Sequence, residues 1–381
     1  MAKVESTTRT ILEPLAEFNS SSAAVSSSIR SIALSTLSDS QTLIYVGTYS
    51  GALIVLSLNP NSPPNPKSSH FDGDSVPTGS ISFLRYASVS GSPVDWLYVI
   101  DHIGAVLLLS GGLLFLVDSL LLQPVRKLGV FKGVSAVARR VRSGVFESSS
   151  LVEGESGGSS SEFPGTGRRL LQKLSGASGI RSNGTKAKGS ELQRDGNCTF
   201  AIVTGKRMIL VELSDSGSLT ILKEIQCVEG IKTMVWLDDF ILVGSLSGYT
   251  LYSCITGQGG LIFSLPELSC PPQLKLLMKE YKVLLLVDNI GIIINAQGQP
   301  VGGSLVFRRA PDSVGEIASC VAAVKNGKME LCHKRSGKCV QIVSFAEEGV
   351  GPCVVANEGG NGQLIAVATP TKVLRSLQRD L

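Results

Sequence analysis

The sequence predicts an all-β protein, a seven-bladed β-propeller carrying a long disordered insertion. Three observations support that fold. Strand-like runs rich in β-branched and aromatic residues recur along the chain, glycine-containing turns join them in pairs, and charge is sparse. Only 17% of the 381 residues are charged, while 43% are hydrophobic and 41 are glycine. That composition favours short strands and turns over long exposed helices, and the length allows a substantial core.

Residues 1–27, rich in Ser and Thr, read as a flexible N-terminal segment. Residues 42–58 follow as a strand, a turn at Tyr49 to Gly51 and a second strand. The unit recurs at 97–117, turning at Gly111-Gly112, and at 200–213, turning near Gly205. Further copies lie at 239–252, 283–295, 320–332 and 362–368. Most of the spacings fall at roughly 40 to 50 residues, the range of propeller repeats. Setting aside 1–27 and 144–196 leaves about 43 residues for each of seven units. One such sheet cannot bury both faces alone, and radial stacking of neighbours supplies the missing cover. A β-sandwich is the structural alternative.

The propeller domain is placed at 28–372. Within it, 144–196 reads as a disordered Ser/Gly-rich insertion, because it offers too little apolar surface to offset its ordering entropy. Pro60 to Pro66 reads as an exposed loop, and 373–381 as a truncated C-terminal tail. The closing blade of such a ring often combines strands from both chain ends.

The chain carries 35 basic and 31 acidic residues, a net +4 that gives no reason to expect nucleic acid. The excess is concentrated in 122–194, where the local balance is +8. Arg126, Lys127, Lys132, Arg139, Arg140 and Arg142 are the candidate contacts there to a partner or an anionic membrane, against the simpler reading of a solvated charged loop. Serines at 148–150 and 159–161 are candidate phosphorylation sites that would partly cancel that charge.

No signal peptide is visible, and the apolar run 103–117 is too short to cross a bilayer as a helix. All eight cysteines lie in the second half, many in apolar strand contexts, and read as free thiols of a cytosolic chain.

Chemistry finds little support. Cys332, His333 and Cys339 form the one cluster suggestive of a metal site, but their spacing does not fit a chelating pair, and neighbouring strand residues face opposite ways. His70, His102 and His333 have no motif-defined nucleophile beside them. Gly205-Lys206 and Gly327-Lys328 do not complete a phosphate-binding loop. No cofactor is expected, and Trp96 and Trp236 read as blade anchors.

Residues 43–56, 106–129 and 132–139 carry a family resemblance. They resemble the N-terminal citron homology domain of the vacuolar sorting protein 3 family, in its plant-like form related to the transforming-growth-factor-β-receptor-associated proteins. The resemblance implies a propeller followed by a helical solenoid, within a complex that tethers endosomal membranes. It also implies an endosomal Rab GTPase in its GTP form as partner, other tethering subunits, transport to the vacuole, and a cytoplasmic protein held peripherally on endosomal or prevacuolar membranes. A late-endosomal tether subunit and a generic propeller scaffold for signalling proteins are the alternatives.

Overall fold

The structure is a computed structural model that describes residues 12–19, 27–37, 41–59, 80–142, 198–267, 270–345, 351–357, 364–370 and 373–379. The chain divides into two units, residues 1–143 with 196–381, and residues 144–195. The second unit lies outside the described residues, as do Pro60 to Pro66 and the serines at 148–150 and 159–161. The disordered insertion expected at 144–196 is therefore not described.

Strand β1 (Leu12–Asn19) opens the first unit. A four-stranded sheet follows, β2 (Ile29–Leu37), β3 (Gln41–Thr48), β4 (Ala52–Asn59) and β5 (Ser80–Ser88), paired in chain order. The next contains β6 (Val94–Ile100), β7 (Ala105–Ser110), β8 (Leu113–Asp118) and β9 (Arg126–Leu128). Strands β10 (Val134–Val141), β11 (Cys198–Thr204), β12 (Arg207–Leu213) and β13 (Leu219–Gln226) pair in order, as do β14 (Thr233–Leu237), β15 (Phe240–Ser245), β16 (Gly248–Ser253) and β17 (Gly259–Ser264). Strands β18 (Gln273–Leu277), β19 (Lys282–Val287), β20 (Ile290–Ile294) and β21 (Pro300–Val306) make another sheet. So do β22 (Ser313–Ile317), β23 (Cys320–Lys325), β24 (Lys328–His333) and β25 (Cys339–Ser344). Finally, β26 (Val354–Asn357), β27 (Leu364–Ala368) and β28 (Val373–Arg379) assemble with β1 in the order β1-β28-β27-β26.

The expectation of seven separate blades is corrected by this pairing. Strands β10 and β14 form a parallel ladder, Arg140 opposite Trp236 and Val141 opposite Leu237. Their two strand groups thereby become one eight-stranded sheet, so the described strands form six hydrogen-bonded sheets. The Val141 carbonyl, which accepts from Asp238 N at 2.9 Å and Tyr281 Oη at 2.7 Å, locks the junction. Alternation and turn spacing report where strands lie, but they do not report a ladder between strands almost a hundred residues apart.

The chain ends come together, as a closing blade built from both termini does. The segment expected to be flexible, 1–27, and the tail 373–381 each contain a strand, and these pair antiparallel from Leu12 opposite Arg379 to Asn19 opposite Val373. Strand β28 also pairs with its neighbour β27, while β1 stands at the end of that sheet beside β28. Together they complete a sheet begun by β26 and β27 and cover an edge that would otherwise stay open.

Burial explains which strands became legible. Every residue of β7 and all but the last of β4 are buried, because each sheet is covered on both faces by its neighbours. Leu43, Tyr45, Leu53 and Val55 pack against Val106, Leu108, Phe115 and Val117 of the following sheet. Ala366 and Ala368 pack against Ile44, Val46, Ile54 and Leu56, so the last sheet meets the first. Outer strands differ: most of β5, β13, β17 and β25 is exposed or half-buried. One glycine makes the first turn possible. Gly51 has φ +81, and its carbonyl accepts from Val89 N at 2.9 Å and Ser90 N at 3.1 Å, tying the turn to the next connection.

Candidate partner-binding surface

The six basic candidates do not form one collar. Arg126 and Lys127 are exposed on β9, the outermost strand of its sheet, while Lys132 is exposed in the connection to β10. Arg139, Arg140 and Arg142 stand at the far end of β10, beside β14. Strand-to-strand spacing separates β9 from β6, the inner neighbour of β10, by roughly 14 Å.

Two of the arginines are already engaged. Arg139 donates from Nη1 to Tyr98 Oη and lies over that ring, 5.3 Å from its centroid. Burial pushes the Tyr98 phenol up, so it stays a neutral acceptor for the guanidinium. Arg140 donates from Nε to the Asp238 carbonyl at 2.8 Å, bridges Asp239 at 2.8 Å and covers the Trp236 ring at 5.4 Å. Arg139 therefore braces the joint between two sheets, and Arg140 the β10–β14 junction inside the eight-stranded sheet. Arg126, Lys127, Lys132 and Arg142 are exposed, as is Arg139 despite its contact with Tyr98, while Arg140 is half-buried.

The tryptophans follow the anchor reading to different degrees. Trp236 is buried and donates from Nε1 to the Asp238 carbonyl at 3.0 Å. Trp96 is half-buried and stacks on Tyr98, with ring centroids 6.1 Å apart.

One contact was invisible in the linear chain. Cys198 Sγ lies 3.7 Å from His102 Nε2, across the 144–196 insertion. Sequence inspection found no nucleophile near His102 because the two are ninety-six positions apart. Cys198 is only 3% exposed, although His102 beside it is exposed, so the thiol itself is shielded from a substrate. His333 Nδ1 lies 3.1 Å from Ser336 Oγ, a local turn contact. Among the described residues, no group of three or more His, Cys, Asp and Glu could hold a metal ion.

Cavities are small. A groove of about 120 Å³ lies against Arg308, Arg309, Lys325 and Lys328, and a cleft of about 290 Å³ against Glu280, Lys282, Lys334 and Arg335. Small-molecule sites usually occupy about 300–1,000 Å³ and are mainly apolar; both of these are smaller and mix charged with apolar side chains.

Among the described residues, β5 carries an exposed run of large apolar side chains. Phe83, Leu84 and Tyr86 are 41%, 44% and 50% exposed, and Arg85 stands exposed among them. They occupy the outer edge of a sheet whose next strand, β4, is almost wholly buried. Clustered exposed aromatics on an edge strand mark a protein-docking surface more often than a solvated one. Sequence reasoning missed this strand because it carries no glycine turn and falls between the repeated pairs. The run Ile81-Ser-Phe-Leu-Arg-Tyr86 was the available signal.

Comparison with known proteins decides the family. The CNH domain model matches residues 40–354. The chain belongs to the CNH domain family. It is also similar to Vacuolar sorting protein 3 of Arabidopsis thaliana, at 45% identity over 358 residues covering 91% of this chain and 34% of that protein. The chain thus spans about a third of that relative's length.

Solved structures agree on the architecture. The Neurospora crassa Pan2 WD40 domain matches with a TM-score of 0.57 at 9% identity, covering 97% of this chain and 96% of that one. The AfRom2 CNH domain matches with a TM-score of 0.55 at 10% identity, covering 97% and 99%. At such identities the likeness concerns the β-propeller fold alone.

Proposed function

We propose that this CNH domain is a non-catalytic docking module of an endosomal membrane-tethering complex. It binds an endosomal Rab GTPase and other tether subunits, and supports vesicle fusion and protein transport to the vacuole. It works in the cytoplasm, held peripherally on endosomal or prevacuolar membranes. The similarity to a vacuolar sorting protein supports the pathway. The observation that carries a docking role is the exposed Phe83, Leu84 and Tyr86 edge on an otherwise rigid sheet.

The mechanism is recognition without bond chemistry. The aromatic edge supplies buried contact area once a partner covers it, while Arg85 and the exposed Arg126, Lys127 and Arg142 tune encounter and choice. Preference for the GTP form arises if the partner's ordered switch region, and not its relaxed form, fits that edge.

Capture of GTP-loaded against GDP-loaded endosomal Rabs by the purified chain tests this reading. Selective retention of the GTP form, lost in a chain carrying F83S, L84S and Y86S, supports it. Equal capture of both forms would favour a generic scaffold.

A further inference from the structure

We propose that Cys332 and Cys339 form a reversible thiol–disulfide couple, with Cys339 the entry point for a hydroperoxide. The two residues stand directly opposite each other where β24 pairs antiparallel with β25. The register shifts there, Leu331 opposite Gln341 and Cys332 opposite Cys339, so Val340 is the extra residue, on β25. That pairing sets the Cys332 thiol beside Cys339, whose proximity helps to raise it. Directly opposed residues of an antiparallel pair have Cα atoms about 4.5–5.5 Å apart, inside the range a disulfide spans.

The two thiols differ in access. Cys339 is exposed on the outermost strand of its sheet, and its Sγ lies 3.7 Å from the Gln341 carbonyl. Cys332 is buried in the core shared with Leu284, Phe307 and Val321. Burial, with the neighbouring Cys339, pushes the Cys332 thiol up to about 12, which makes it a poor first attacker.

The chemistry therefore has an order. The Cys339 thiolate sulfur attacks the distal oxygen of a hydroperoxide and the O–O bond breaks. Cys339 becomes a sulfenic acid, and the departing alkoxide takes up the proton that Cys339 gave up. Cys332 sulfur then attacks the Cys339 sulfur, the S–O bond breaks, and water leaves carrying the Cys332 proton. Two thiols are oxidised to one disulfide, and the peroxide is reduced to an alcohol and water. Dithiol reductants reverse the change. The oxidised form ties the edge strand β25 covalently to β24.

The couple is read by exposing the intact chain to hydrogen peroxide, alkylating under denaturing conditions and mapping peptides after trypsin. Lys334, Arg335 and Lys338 separate the two cysteines, so a disulfide shows as two joined peptides. The expected result is joint loss of both thiols and a 332–339 link that dithiothreitol removes. In C339S, Cys332 remains fully alkylatable after the same treatment. In C332S, Cys339 proceeds to sulfinic and sulfonic acid. Over-oxidised Cys339 beside fully alkylatable Cys332 in the unaltered chain overturns the proposal, as does Cys332 linked to Cys320. Because Cys339 is exposed, C339S tests the idea even where C332S folds poorly.

Discussion

The Lys334 ammonium donates a 2.6 Å hydrogen bond to the Glu316 carboxylate, and both side chains are buried, 1% and 5% exposed. Lys334 also bridges Glu280 at 3.1 Å. Glu316 belongs to β22, Lys334 follows β24, and Glu280 lies between β18 and β19, so one ammonium joins two neighbouring sheets. Removing a single partner from a buried ion pair leaves an uncompensated charge, at a cost of about 3–5 kcal/mol. K334M is expected to lower stability by that amount in denaturant titration. A loss below about 1 kcal/mol would place the pair among weak surface bridges.

Acid should loosen the same joint. Burial raises the Glu280 carboxyl, but hydrogen bonds from Lys334 and Lys282 outweigh it, and its pKa falls below the usual 4.5. A depressed folded-state pKa contributes stability above the unfolded value, and that contribution is lost as pH falls through the folded value. The denaturant midpoint is therefore expected to fall below about pH 4.3, and this part of the fall should be absent in E280Q.

Gly51 tests the first turn. A Cβ there would sit 2.3 Å from the Ser90 carbonyl oxygen and 2.6 Å from that of Ser92, at a φ of +81. Backbone oxygens do not yield as a flexible side chain would. G51A is expected to cost at least ~2 kcal/mol, read as a lower midpoint with unchanged slope.

The basic residues separate into two functional groups. R140A loses the Asp238 and Asp239 contacts and the cover of Trp236, so it should destabilise the fold by about 1–2 kcal/mol. Changing Arg126, Lys127 and Arg142 together to Ala should alter stability by less than about 1 kcal/mol, while reducing sedimentation with anionic vesicles. Undiminished vesicle association in that triple variant would remove these cations from membrane contact.

Strand pairs that turn through glycine, such as Leu43–Leu56 around Gly51, were legible because buried middle strands produce long apolar runs. The β1–β28 ladder was not, since its partners lie at opposite chain ends, although β28 also pairs with its neighbour β27. The β10–β14 ladder was hidden for the same reason: its partners are distant in sequence, and Arg140 and Trp236 give no local sign of pairing. Phe83 and Tyr86 escaped notice because an exposed outer strand lacks the buried pattern of its neighbours. Cys332 and Cys339 drew attention as a failed chelate, and only the β24–β25 register shows that they oppose each other.

Titrating the purified chain against one endosomal Rab in its GTP-analogue and GDP forms addresses the docking account most directly, with F83A/Y86A as the paired variant. The account predicts tighter binding to the GTP form and a loss of about 2 kcal/mol, roughly thirty-fold, on removing the two aromatics. Affinity that is the same for both nucleotide states and unmoved by the double substitution would contradict it.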